Sequence, residues 1–330
     1  EPFDVAVLDG FEGSVRLDAA RFVLSPGVGL ERATFEIALA PGKIDVKNVA
    51  GDGLGGRFGA SFAMEKRRSG AELAGTATFE ATLEALAAAR SGSTPRAAGP
   101  LKGTLEFSGR GTSPRALISA LQGKATIEVG EARLANLWPG AVGAGLEAAL
   151  KVEADRVGPT LRQRFIAALA EGQLPLGPGT IAVDIVDGQL KSKPIVIETD
   201  QGRATGSANL DLRSLAFDSE WRLERRRAND KIDEKAALPA VTIQYRGPVT
   251  ALSGLDARIT TEPLERELTA RKMEIDLEEL ERLRQIDESR RRTETDRLRE
   301  QQDPRLPASR PATPNTPVPL KGETQPATPG

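Results

Sequence analysis

The residue types that most often carry catalysis are missing: the chain has no His and no Cys. A Ser-His-Asp or Cys-His apparatus is therefore impossible within it, and the usual zinc and copper ligands are missing too. A calcium loop needs closely spaced Asp and Asn with a Gly and a terminal Glu, and no stretch supplies that set. What remains is carboxylate acid–base chemistry, aromatic stacking and glycine cradles. Asp184 and Asp187 are close in sequence, but they fall on a strand end and a turn, where Asp serves local hydrogen bonding. Trp138 and Trp221 have the ring area to stack on a sugar, yet such rings more often pack a core or its rim. Gly51-Asp52-Gly53-Leu54-Gly55-Gly56 superficially has the glycines of a dinucleotide fingerprint, which must join a strand to a helix. A strand pattern follows here instead. Gly140 to Gly145 precedes helix-like residues without an upstream parallel strand and reads as a helix start. No catalytic, cofactor-binding or metal-binding residue is assigned, no cofactor is called for, and the chain reads as a non-enzyme.

The elements around these residues are strands. From Gly179 to Leu223 apolar and polar residues alternate almost without a break, and a period of two means strands with one apolar face. Asp187-Gly188 is a hairpin signal. Residues 13–79 repeat the pattern, with Ser14–Ala19 and Arg21–Leu24 as separate short strands, then Leu30–Ala40, Lys43–Ala50, Gly56–Glu65 and Gly70–Glu80. Leu101–Gly109 adds another strand, and Gly123–Gly130 with Ala132–Leu137 reads as a hairpin. Val241–Arg246 and Gly254–Thr261 close the series after a charged insert, Arg225–Ala237. Helical spacing appears near 82–90, at 113–121 with Ser113 as N-cap, and over 139–171, where Leu161, Phe165, Ala168 and Leu169 form a stripe. The candidate apolar face comprises Phe35, Ile37, Leu39, Val183, Ile185, Ile195, Ile197, Leu210, Leu212, Trp221, Val241 and Ile243.

One internal echo stands out. Gly42-Lys43-Ile44 leads to Gly56-Arg57, and Gly188-Gln189-Leu190 leads to Gly202-Arg203 at the same spacing, which suggests repeated hairpin units. Beyond residue 261 the character changes. Residues 263–303 are dominated by charge, with helix-supporting pairs such as Glu267 and Arg271. Leu277, Leu280, Leu283 and Ile286 drift around the helix rather than forming a coiled-coil seam, so the segment reads as a solvated helix. Residues 304–330 are Pro-rich and read as disordered. The fold class that follows is mainly β: a long antiparallel meander forming a curved sheet or groove with a few short helices over 1–261, then the charged helix and the tail.

Composition narrows the partners. Net charge is −2 with both signs mixed, so the concentrated basic face that nucleic acid requires is not visible. No run approaches the roughly 20 apolar residues of a membrane-spanning helix. The chain opens at Glu1 inside a strand-like pattern and reads as a piece of a longer protein, any anchor lying upstream. Aromatics are only 4%, while Ala and Gly are plentiful. A long sheet with one apolar face must cover it with a second sheet, with helices or with lipid tails, and small side chains favour an incompletely filled trough.

The run from Gly109 to Gly123, GRGTSPRALISALQG, with the following strand that ends in Gly130-Glu131-Ala132-Arg133-Leu134, resembles the C-terminal region of AsmA-type bacterial envelope proteins. So does the pattern from Asp187-Gly188 through Gly206-Ser207-Ala208-Asn209-Leu210-Asp211-Leu212 to Phe217-Asp218. The resemblance covers roughly residues 1–261. It implies a periplasmic, inner-membrane-anchored protein of Gram-negative bacteria, similar to bridge-like β-groove lipid transfer proteins. Its partners would be phospholipid or another acyl lipid, the inner membrane and other envelope proteins. Outer-membrane lipid homeostasis and biogenesis are the expected role, with a scaffold acting through protein contacts as the alternative.

Overall fold

Alternation through residues 13–82 builds a run of long strands joined by tight turns. The computed structural model describes residues 10, 12–25, 28–53, 55–68, 70–88, 97–226, 237–249 and 255–302. The opening meander is β1 (Gly13–Ser25), β2 (Val28–Ala40), β3 (Lys43–Gly53), β4 (Gly56–Arg67) and β5 (Gly70–Thr82). Then come α1 (Leu83–Ala88), β6 (Ala97–Ala98), β7 (Pro100–Gly111), α2 (Pro114–Ser119) and β8 (Gln122–Val129). An excursion of β9 (Ala132–Ala135), α3 (Gly140–Ala149), α4 (Val157–Glu171) and β10 (Gln173–Leu176) precedes β11 (Gly179–Val186) and β12 (Gln189–Ser192). The chain continues through β13 (Ile195–Thr199), β14 (Gly202–Asp211), β15 (Ala216–Arg225), β16 (Val241–Pro248), β17 (Asp256–Thr260) and α5 (Glu262–Gln302).

Among the described residues, fourteen strands form one curved antiparallel sheet in the order β1-β2-β3-β4-β5-β7-β8-β11-β12-β14-β15-β16-β17, with β13 on β14. β6, β9 and β10 make a separate three-stranded sheet. The mainly β meander, its few short helices and the long charged helix agree with the sequence reading. Most of the charged insert and the Pro-rich tail lie outside the described residues.

Several local expectations change. The two short strands at residues 14–24 are one strand of 13 residues. β8 and β9 do not form a hairpin: β7 and β11 occupy both edges of β8. β9 instead pairs with β10, Leu134 opposite Leu174, and with β6. The helical stretch at 139–171 divides because α3 and α4 pack on each other. Gly145 permits the close approach, since a Cβ there would lie 3.1 Å from the Leu161 carbonyl oxygen. The charged helix is not solvated at its start, where Leu264 and Leu268 are fully buried on one side of its first turns.

The internal echo is a structural repeat. Gly42 and Gly188 both turn their hairpins at φ 70, a conformation glycine adopts without steric penalty. Equally far beyond those turns, Val49 pairs with Ala60 and Ile195 pairs with Gly206. Ile44 opposite Met64 and Leu190 opposite Leu210 also correspond.

The core lies toward the β14–β16 end. α3 packs on β15, Gly202 passes beneath Pro139, and the Tyr245 hydroxyl donates to the Asn136 carbonyl at 3.0 Å. Arg162 donates two hydrogen bonds of 2.9 Å to Glu265, tying α4 to the start of α5. Residues to Glu274 form one unit and those from Ile275 a second. In that second unit Leu277, Leu280 and Leu283 are exposed. No helix among the described residues is long and apolar enough to cross a membrane.

Candidate functional site

Strand register sorts the side chains of the large sheet into two faces. One transverse row runs Val15, Ile37, Val46, Phe62, Gly75, Phe107, Gly123, Ile185, Leu190, Leu210, Phe217 and Gly247, every position apolar or glycine. A second row continues Val49, Ala60, Ala77, Leu105, Ala125 and Val183. A third holds Gly51, Phe58, Phe79, Gly103, Ile127 and Ile181. The opposite face carries Ser61, Thr76, Glu106, Lys124, Asp184, Lys191, Asn209, Asp218 and Arg246 in one row.

Ion pairs across that polar face keep it in water. Lys102 meets Glu80 at 2.9 Å, and Arg67 and Arg110 both meet Glu72, at 2.6 and 2.8 Å. Hydrogen bonds from Arg110 and Arg67 hold the Glu72 carboxyl below its ordinary range, and Lys102 does the same for Glu80. Such exposed pairs contribute little to stability; their effect is to fix which face is wet.

Aromatic rings lie down on glycines of the apolar face. A Cβ on Gly103 would fall 2.2 Å from the Phe79 ring, and one on Gly75 would meet the Phe107 ring at 2.9 Å. Trp221 covers Gly206 in the same way, while its indole N–H donates 2.8 Å to the buried Ser219 hydroxyl. Phe22 and Phe35 meet with their ring centroids 5.4 Å apart and their planes tilted by 58°. Glycine beneath a ring lets the ring spread flat, so the face stays low and continuous.

Coverage of the apolar face differs along the sheet. At the β14–β16 end much of it is covered: Leu223, Val241 and Ile243 are fully buried and Trp221 is 7% exposed, while Leu210 and Phe217 of the first row are half-buried. Along β1 to β8 the large side chains Phe35, Ile37, Leu39, Phe58, Phe62, Phe79, Leu105, Phe107 and Ile127 are only half-buried. Toward the β1 edge Val15 and Leu17 are 47% and 42% exposed. The helices packed on this half, α1 and α2, have six residues each and sit at opposite ends of β5 and β7. α2 lies over Gly111, where a Cβ would be 2.3 Å from the Leu117 nitrogen. Neither spans the rows between.

The sequence-derived face residues therefore separate. Phe35, Ile37 and Leu39 belong to the open half. Trp221, Val241 and Ile243 are core, and Val183 and Ile185 are buried between the two regions. Ile195 and Ile197 line a gap beside β11. Leu210 lies in the first row, whereas Leu212 falls past the end of β14, in the turn. Gly75, Phe79, Gly103, Leu105 and Phe107 escaped the sequence reading, although an aromatic paired across strands with glycine is a usable signal. The chemical candidates do not converge. Asp184 pairs with Lys193 on the polar face, Asp187 accepts from Gln122 at 2.8 Å in a turn, and Trp138 packs on Gly140 and Gly172. Gly53 and Gly56 close the β3–β4 hairpin. Among the described residues no group of three or more acidic side chains is placed to hold a metal.

Comparison of the chain with protein-family models, with curated proteins and with solved structures finds no match.

Proposed function

We propose that this chain is a non-enzymatic lipid-binding module that lays acyl chains along the apolar face of β1 to β8. One observation carries the reading: one transverse row of apolar and glycine positions crosses from β1 and two more from β3, and most of their large side chains in β1 to β8 are left half-buried beside helices too short to cover them. The seven sheet strands from β1 to β8, at about 4.8 Å spacing, make the open half roughly 29 Å across. That is close to the roughly 30 Å hydrocarbon thickness of a bilayer, two acyl layers end to end. Each CH₂ withdrawn fully from water gains about 0.8 kcal/mol, and one lying on an open face roughly half of that. Chains bound this way need no specific polar contact, which fits the absence of a convergent polar site on this face. The resemblance to AsmA-type proteins supports placing the module in the periplasm, tethered upstream to the inner membrane and serving outer-membrane lipid homeostasis.

The test is lipid extraction and mass spectrometry of purified protein, alongside uptake from phosphatidylethanolamine and phosphatidylglycerol vesicles. Wild type should carry or acquire acyl lipid. Leu105→Asp, which puts a charge in the middle of the open face, should lose it, whereas Thr104→Asp, the same charge on the wet face one residue away, should keep it. A lipid-free protein that takes up nothing from vesicles would sink the reading.

A further inference from the structure

The large sheet is split along part of its length. β11 bonds to β8 from Gly179 to Ile185, but to β12 only from Val183 onward. β13 bonds to β14 alone. The last bond across the split is from the Lys193 N–H to the Ala182 carbonyl, at 2.8 Å. Past it, residues 179–182 and 195–198 flank a cavity of about 470 Å³, within the range of small-ligand sites. Its lining comes from both faces of the sheet. Val129, Ile181, Ile195 and Ile197 belong to the apolar side, and Thr180, Val196 and Glu198 to the other. The gap thus passes through the sheet.

The split is particular to this copy of the repeat. In the first copy the equivalent strand bulges at Asn48, φ 51, and stays bonded to β2 through Ala50 and Asp52. In the second, Pro194 stands where Asn48 stands in the first and offers no N–H; the strand divides into β12 and β13 and leaves β11. Two facing strand edges would ordinarily invite an extended peptide. Here they are blunted by the devices that discourage strand addition: Pro178 and Pro194 begin the two edges, Lys193 stands at the vertex, and β13 has five residues. What the gap offers is hydrocarbon, and Ile181 joins it to the open row through Ile127 and Gly103.

We infer that the gap between β11 and β13 is a lateral portal through which one acyl chain of an amphipathic lipid reaches the open apolar face, the head group remaining outside between Lys193 and Glu198. This rests on the lipid-binding reading above and assigns it a point of entry. Val196, 56% exposed, lies at the outer mouth, and the chain has no Cys, so Val196→Cys provides a unique attachment point.

Two measurements on the full chain test it. Vesicles containing phosphatidylcholine with a diazirine in one acyl chain are photolysed with the protein, and adducts are mapped by mass spectrometry. Separately, transfer of a fluorescent phosphatidylcholine between vesicles is timed with Val196→Cys unlabelled and carrying a bulky hydrophilic maleimide, and Thr180→Cys repeats the comparison from the other side. The portal requires adducts at Ile181, Ile195 or Ile197, and transfer reduced to the spontaneous rate by the label alone. Adducts confined to Leu105, Phe107 and their neighbours, with transfer indifferent to the label, would overturn the portal and leave lipid binding standing. No adduct anywhere would overturn both.

Discussion

Phe79 shows how a single side chain shapes this surface. Its ring lies on Gly103, within the distance a Cβ would need, so the glycine is required by what sits on top of it, its backbone angles being ordinary. Gly103→Val would push the ring off the sheet. The strain of overpacking is about 1–3 kcal/mol, to be read as a lower urea midpoint, and the raised ring should also reduce acyl uptake. Unchanged stability and uptake would mean that the ring and glycine are not coupled. Phe107 on Gly75 and Trp221 on Gly206 repeat the device. With aromatics at only 4% of residues, rings laid flat cover more sheet than rings standing up.

At the scale of strands, the polar face makes a prediction about acid. Glu72 and Glu80 are held below their ordinary 4.5 by Arg110, Arg67 and Lys102. A folded-state pKa that is depressed contributes stability above the unfolded value, and the contribution is lost as pH falls through the folded one. Thermal stability should hold from neutral pH downward and decline below about 4.5, with Arg110→Gln weakening that decline. A melting temperature that rises on acidification would contradict the assignment. Because the groups are exposed, the effect should also shrink with salt.

Which residues share a face was legible because the period of two is a local property of each strand. Phe35, Ile37 and Leu39 could be grouped without knowing their neighbours. Whether a face is covered is not local. Nothing in the spacing of Leu161 and Phe165 says that α4 folds back on α3, or that Leu264 and Leu268 of a charged helix are buried. The same limit hid the different partners of β8 and β9. The split beside β13 left a trace, since Lys193-Pro194 interrupts the repeat where Lys47-Asn48 carries on, but its meaning depends on β11 lying alongside.

At the scale of the molecule, the boundary that matters falls inside α5. Deleting residues 275–330 removes the second unit and should leave both melting temperature and lipid uptake unchanged. Deleting from Glu262 also removes buried Leu264 and Leu268; two such losses, about 4–10 kcal/mol together, are comparable to the roughly 5–15 kcal/mol that holds an ordinary domain folded, so this truncation should melt far lower. If the two truncations behaved alike in circular dichroism melts, the proposed role of the first turns of α5 would be wrong.

The most direct test asks which face a lipid touches. A polarity-sensitive thiol dye on Leu105→Cys reports from the apolar face, and the same dye on Thr104→Cys reports from the other face one residue away. On adding phospholipid vesicles and then removing them, the dye at position 105 should shift to the blue and stay shifted, with no change at position 104. Equal responses at both positions, or none at position 105, would contradict an acyl-carrying face.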